Sequence, residues 1–116
     1  MASIINRGLA QSLIQEFRTQ NRTLGDNAWK TPDGQQVNGY FIDRESLESI
    51  LKDEKIAGIH VYFAKHANFK DDSSNVQSLI VTGSQLNTNP GATTPYIAAG
   101  DIFDAYPPCP PFCTDL

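Results

Sequence analysis

The sequence lacks any Lys or Arg beyond Lys70, although it contains nine of these residues. Residues 71–116 carry five Asp and a net charge of −5, whereas residues 1–70 have a net charge of +1. Binding to nucleic acid depends on cations that contact phosphates. A long acidic stretch without a single cation therefore argues against a nucleic-acid partner. It favours a solvated face or contact with a basic protein surface.

Long apolar runs are also missing. No stretch approaches the roughly 20 apolar residues that a membrane helix requires. The segment from Met1 to Arg7 does not show the basic and apolar pattern of a signal peptide. We therefore expect no membrane partner and a cytoplasmic location. In that compartment the two cysteines are expected to be reduced.

Catalytic motifs are absent as well. The sequence has no Gly-rich phosphate loop and no Gly-x-Ser-x-Gly turn. The run Thr82-Gly83-Ser84 lacks the second glycine of such a turn, and the spacing gives neither His60 nor His66 an acidic partner. The pair Asp71-Asp72 lacks the alternating ligands of a calcium loop. No catalytic residue is predicted, and a non-enzymatic role is favoured.

Helical and strand periodicities are present and predict an α+β fold. Residues 6–22 carry apolar side chains at helical spacing and predict an N-terminal amphipathic helix. Asp43 predicts the cap of a second helix whose buried stripe is Leu47, Ile50 and Leu51. Strands are predicted at residues 37–42, 59–66 and 76–82, with a weak element in 96–106. We expect a small mixed or antiparallel sheet of three or four strands, with the second helix packed on it.

The chain length of 116 residues fits one domain, predicted to span residues 1–106. Residues 107–116 form a Pro/Cys-rich tail, for which the prolines predict polyproline II. In that conformation the Cα atoms of Cys109 and Cys113 would lie about 12 Å apart. A disulfide requires less than about 7 Å, so an internal bridge would need a turn or a cis proline.

Several roles for the two cysteines stay open at this point. They can pack on the domain, form a disulfide within or between chains, bind a metal or act as a redox pair. Zinc requires four ligands, and Cys109, Cys113, His60 and His66 are the only soft set in the sequence. Their spacing matches no zinc signature, and the redox motif Cys-x-x-Cys is absent. We expect no cofactor and keep zinc as the alternative.

Four segments together resemble a group of small bacterial proteins. They are Gly39–Glu45, Gly58–Ala64, Leu79–Val81 and Pro108–Cys113. That group is similar in its strand–helix–strand–strand middle and its Pro-Cys-Pro-Pro-x-Cys end. It has no established activity, so the resemblance implies no catalytic residue. It does imply that the tail is a feature with a role of its own.

These observations predict a non-catalytic module that binds a protein partner or itself. Its expected contact surface comprises the polar loop Ser84–Pro95, the acidic final third and the tail residues Pro108, Cys109, Pro110, Pro111, Phe112 and Cys113. The alternative is a thiol- or metal-dependent protein, with zinc or redox chemistry centred on Cys109 and Cys113.

Overall fold

The computed structural model describes residues 2–116, which form two α-helices and five β-strands in two separate sheets. This arrangement confirms the predicted α+β class. The helices and strands in chain order are α1 (Arg7–Thr23), β1 (Gly39–Tyr40), α2 (Arg44–Leu51), β2 (Gly58–Lys65), β3 (Gln77–Leu86), β4 (Tyr96–Phe103) and β5 (Pro108–Cys109).

The larger sheet has three antiparallel strands in the order β2-β3-β4. Strands β2 and β3 pair along their length, from Gly58 opposite Ser84 to Lys65 opposite Gln77, which confirms the predicted hairpin. A bulge between Thr82 and Gly83 shifts the pairing of β3 with β4. Strand β3 continues to Leu86, so it absorbs the first residues of the loop that the sequence placed at 84–95.

The smaller sheet is a ribbon of β1 and β5, with Gly39 opposite Cys109. Strand β1 does not join the larger sheet, so no parallel crossover forms and both sheets are antiparallel. The polyproline II prediction for the tail was wrong. The Phe41 N–H donates to the Pro107 carbonyl at 2.8 Å, and the Phe112 N–H donates to the Pro108 carbonyl at 3.0 Å. Proline lacks an N–H but keeps its carbonyl, so a proline-rich segment can accept hydrogen bonds as an edge strand and then turn.

The core lies between α2 and the larger sheet. Its buried residues are Ile50, Leu79, Val81 and Tyr106. The Tyr106 hydroxyl donates to Ser46 Oγ at 3.0 Å, which ties the end of the chain to α2. Leu51 does not join this core as the sequence predicted, because it faces a shallow surface groove shared with Phe41 and Leu47 and is 52% exposed.

The start of α2 is fixed by the predicted cap. The Ser46 N–H donates to Asp43 Oδ2 at 2.9 Å. This hydrogen bond lowers the pKa of Asp43 below its ordinary value, because it favours the ionised carboxylate. The cap satisfies a backbone donor that the first helical turn leaves without a partner.

Candidate interaction surface

Helix α1 leaves an apolar stripe exposed. Asn6 caps the helix by accepting the Leu9 N–H at 2.8 Å. Leu9, Leu13 and Phe17 follow at intervals of four residues, lie on one face and are 46%, 52% and 54% exposed. We call these three residues the α1 stripe. An amphipathic helix gains most of its stability by burying such a face, and this chain covers only about half of it.

The helix is attached to the rest of the protein near its two ends. The Asn21 amide donates to the Val37 carbonyl at 3.4 Å, and Arg7 forms an exposed ion pair with Asp115 at 3.3 Å. No residue of α1 belongs to the hydrophobic cluster between α2 and the larger sheet, so the helix lies outside that core.

A groove of ≈ 410 Å³ adjoins the α1 stripe, and we call it the aromatic groove. Phe17 of α1, Trp29 of the following loop, Tyr40 of β1 and Phe63 of β2 line it. Phe63 is 78% exposed and Trp29 is 40% exposed. The Trp29 carbonyl accepts the Val37 N–H at 3.1 Å, which fixes this loop beside β1. Four separate parts of the chain thus present aromatic rings to one concave surface.

The aromatic groove carries no charged side chain among its lining residues, which are Phe17, Asn21, Trp29, Val37, Asn38, Gly39, Tyr40, Phe63 and Gln77. The Tyr40 hydroxyl donates to Gln77 Oε1 at 3.3 Å. Burial raises the pKa of Tyr40 to about 12, because desolvation penalises the phenolate. The groove is therefore uncharged at neutral pH.

The raised pKa of Tyr40 predicts a loss of stability in alkali. Its pKa is higher in the folded chain than the ordinary value of 10.0, so this contribution is complete below pH 10 and is lost as the pH rises through about 12. We expect the Tyr40→Phe variant to lose less unfolding free energy than the wild type between pH 10 and pH 12. Urea denaturation at both pH values measures the difference. Equal losses in the two proteins would contradict the assignment.

The two cysteines are joined in the tail. Cys109 and Cys113 form a disulfide with their Cα atoms 4.9 Å apart, within a turn that follows β5. Cys109 is 8% exposed and Phe112 is 57% exposed. Both cysteines and Phe112 line a groove of ≈ 530 Å³ with Phe41 and other residues of the ribbon. Three of the predicted tail residues, Cys109, Phe112 and Cys113, thus line one groove beside the β1–β5 ribbon.

The histidines lie elsewhere, so the predicted zinc set is not assembled. His60 projects from β2, where its Nδ1 is hydrogen-bonded to Ser84 Oγ and its ring stacks against Tyr62 at 5.9 Å. His66 Nδ1 accepts the Asn68 N–H at 3.1 Å. Within residues 2–116, no three His, Cys, Asp or Glu side chains converge on a point where a metal ion could bind.

The turn at Asp71-Asp72 and the predicted polar loop Ser84–Pro95 are each held by local hydrogen bonds. Asp72 accepts the Ser74 N–H at 2.6 Å, and this hydrogen bond lowers the pKa of the carboxyl. The Lys65 ammonium donates to the Asp72 carbonyl at 2.7 Å and closes the turn. Across the base of the loop, the Asn87 N–H donates to the Pro95 carbonyl at 2.9 Å. These hydrogen bonds order both segments without assembling a site for chemistry.

Sequence reasoning did not predict that the apolar side chains of α1 and β2 are exposed. It placed Val61 and Phe63 on one face of β2, which is correct, but α2 covers only part of that face. A signal was present in the sequence. Val61, Tyr62 and Phe63 are consecutive large apolar residues, so β2 carries large apolar side chains on both faces. A strand with one solvated face needs them on one face only.

Neither α-helix in the described part of the chain is long and apolar enough to cross a membrane. A scan against protein-family models found no match, and searches of curated proteins and of solved structures found none either.

Proposed function

We propose that the protein is a non-catalytic self-assembly module, in which a second copy of the chain covers the α1 stripe and the aromatic groove. The observation that carries this proposal is the exposure of Leu9, Leu13 and Phe17 on a helix that lies outside the core. Soluble monomers rarely expose continuous apolar patches of more than a few hundred Å².

The exposed area is large enough for a stable interface. Leu9, Leu13, Phe17, Trp29 and Phe63 are between 40% and 78% exposed. From the sizes of these side chains, they leave on the order of 600 Å² in contact with solvent. A typical specific interface buries about 800 Å² on each partner. The exposed apolar area of one copy is therefore of the order that one side of a specific interface requires.

The chemistry of the surface suits a second copy. A two-fold interface places the same patch of both subunits together, so charges on the patch would face charges of the same sign. The α1 stripe and the lining of the aromatic groove contain no charged residue. Identical copies therefore bring no like charges together at these residues, and Glu16, three residues after Leu13, borders the stripe. The aromatic rings are of the type that dominates binding energy at interfaces.

The tail residues Pro108, Cys109, Pro110, Pro111, Phe112 and Cys113 stay a predicted second contact. A thiol- or metal-dependent role centred on Cys109 and Cys113, which form a disulfide, stays the second candidate. Cytoplasmic thiols are normally reduced, which gave the expectation of reduced cysteines, whereas the structure joins the two in a disulfide. The proposed assembly does not depend on this choice, because neither cysteine lines the aromatic groove or belongs to the α1 stripe.

The Leu13→Glu variant tests the proposal. Leu13 lies in the middle of the stripe, and burying a carboxylate there is expected to weaken self-association by roughly 30-fold or more, the effect of losing an interface hot spot. Sedimentation velocity over a wide range of protein concentration measures the dissociation constant.

The matched control is Gln15→Glu, which adds the same charge on the polar side of α1, about 200° round the helix from Leu13. We expect this control to assemble like the wild type. A wild-type chain that stays monomeric at every concentration overturns the proposal. Equal weakening by the two variants would overturn the assignment of the surface.

A further inference from the structure

The two edges of the three-stranded sheet are protected to different degrees. An edge strand exposes unpaired N–H and C=O groups, and proteins that must stay monomeric block such edges with proline, charge or bulges. On β4, Pro95 precedes the strand, Asp101 lies within it, and Gly100 has a positive φ of 83° beside the register shift. These features interrupt the outer edge of β4.

Strand β2 has none of these devices along most of its length. Residues 58–64 contain no proline, no acidic residue and no bulge, and the only formal charge in the strand is Lys65 at its end. In the described chain, the backbone groups of residues 59–65 form hydrogen bonds only with β3. With eight residues, β2 is also longer than the commonest strand length of about five or six residues.

The hydrogen-bond pattern between β2 and β3 determines which N–H groups of β2 point away from β3. The His66 N–H donates to the Val76 carbonyl of the neighbouring chain segment at 2.9 Å. Because N–H groups alternate in direction along a strand, those of Val61, Phe63 and Lys65 point away from β3. The same residues carry the side chains that α2 leaves uncovered, with Val61 40% and Phe63 78% exposed.

We infer that β2 is a self-pairing edge: β2 of one copy pairs antiparallel with β2 of a second copy about a two-fold axis at Tyr62, joining two sheets into one of six strands. This inference rests on the proposed self-assembly and names the contact that directs it. The register places Val61 opposite Phe63 of the second copy, a favourable cross-strand pair. It places Tyr62 opposite its own copy on the other face, where Tyr62 is 56% exposed.

The charge pattern of β2 and its position beside the aromatic groove favour a second copy of the chain as the partner that pairs with β2. About an axis at Tyr62, Lys65 lies opposite Ile59 of the other copy, so the only formal charge in the strand does not meet itself. Phe63 belongs both to β2 and to the aromatic groove. A strand added at β2 therefore approaches the same apolar surface that the proposed function requires to be covered.

Substitution of Val61 by proline tests the free edge. Proline removes an N–H that points away from β3, so the ladder within the chain is kept and the contact between copies loses a donor on each strand. We expect Val61→Pro to weaken self-association by roughly tenfold or more. The matched control Val61→Thr keeps the N–H and the β-branched shape, so it should weaken self-association clearly less than the proline variant does. Equal affinity of the proline and threonine variants would overturn the inference.

A crosslinking experiment tests the register even if the proline variant does not fold. In the Tyr62→Cys variant, the two new cysteines would lie directly opposite each other across the two-fold axis. In the His60→Cys variant, the two new cysteines would be offset along the strands by four residues, about 13 Å, which is too far for a disulfide. Mild oxidation should therefore give a covalent dimer of Tyr62→Cys and no such dimer of His60→Cys. Equal dimer yields from both variants would overturn the register.

The two proposals fail in different ways. If Leu13→Glu dissociates the assembly while Val61→Pro associates like Val61→Thr, self-assembly stands and the pairing of β2 is wrong. If the wild-type chain does not self-associate, both are wrong.

Discussion

Replacing Gly83 by alanine is expected to lower the free energy of unfolding by about 1–3 kcal/mol, the usual cost of overpacking a core. Gly83 lies in β3, directly beneath α2. A Cβ atom at this position would come within 2.9 Å of Ile50 Cγ2 and 3.0 Å of the Ala99 carbonyl oxygen. The carbonyl belongs to the adjacent strand, so relief of the clash requires a shift of β4 or of α2. The absence of a side chain at Gly83 is therefore what allows α2 to approach the sheet.

The matched control for this prediction is Gly58→Ala. Gly58 also lies in the sheet, but a Cβ atom there would meet nothing within 4 Å and the backbone has no positive φ. We expect its stability to stay within a few tenths of a kcal/mol of the wild type. Urea denaturation with an unchanged m value measures both variants. A Gly83→Ala protein as stable as the Gly58→Ala protein would show that α2 packs more loosely than its position here indicates.

Local patterns were sufficient to predict most helices and strands. The 3.6-residue spacing of Leu9, Leu13 and Phe17 predicted α1, and the cap at Asp43 predicted the start of α2. Alternation in the segment 59–66 predicted β2 and its hairpin with β3. Each of these signals depends on the order of neighbouring residues, and each acts within a few positions of the chain.

Long-range placement was not available from the same signals. The apolar spacing of α1 says that one face is to be buried, but it does not say whether this chain or another copy buries it. In the same way, the composition of the tail favoured polyproline II, whereas pairing of Cys109 with Gly39 drew the segment into a ribbon. Such contacts join residues about 70 positions apart, and tertiary packing of this kind overrides local preference.

The candidate surface depends both on local sequence patterns and on long-range packing. The sequence predicted a module that binds a partner or itself, and it predicted the residues of α1 and β2, but it placed the contact surface in the loop, the acidic third and the tail. Large exposed apolar side chains also lie on α1 and β2, among them Leu13 and Phe63, and the contact through the loop and the tail stays a prediction. The same apolar periodicity predicts a face buried in the core of the chain and a face available to a partner. The sequence pattern alone therefore cannot distinguish core residues from interface residues.

Changing both Cys109 and Cys113 to serine is expected to lower the free energy of unfolding by about 2 kcal/mol. The bridge closes a short loop with a sequence separation of four, and the loss of chain entropy in the unfolded state for a loop of this size is of that order. For a chain of 116 residues this corresponds to a fall in melting temperature of roughly 8 °C. Addition of a reductant to the wild type should produce a similar fall, and the serine variant should not respond to it.

The same variant separates the two functional hypotheses. Self-association should be unchanged at temperatures where the variant is folded, because the cysteines lie at the β1–β5 ribbon and outside both the α1 stripe and β2. A thiol-dependent role requires the opposite result, in which assembly or activity disappears although the fold persists. Sedimentation velocity on the serine variant, with Leu13→Glu as the dissociated reference, distinguishes these outcomes. Loss of assembly in the folded serine variant would move the functional centre of the protein from its exposed helix and strand to its tail.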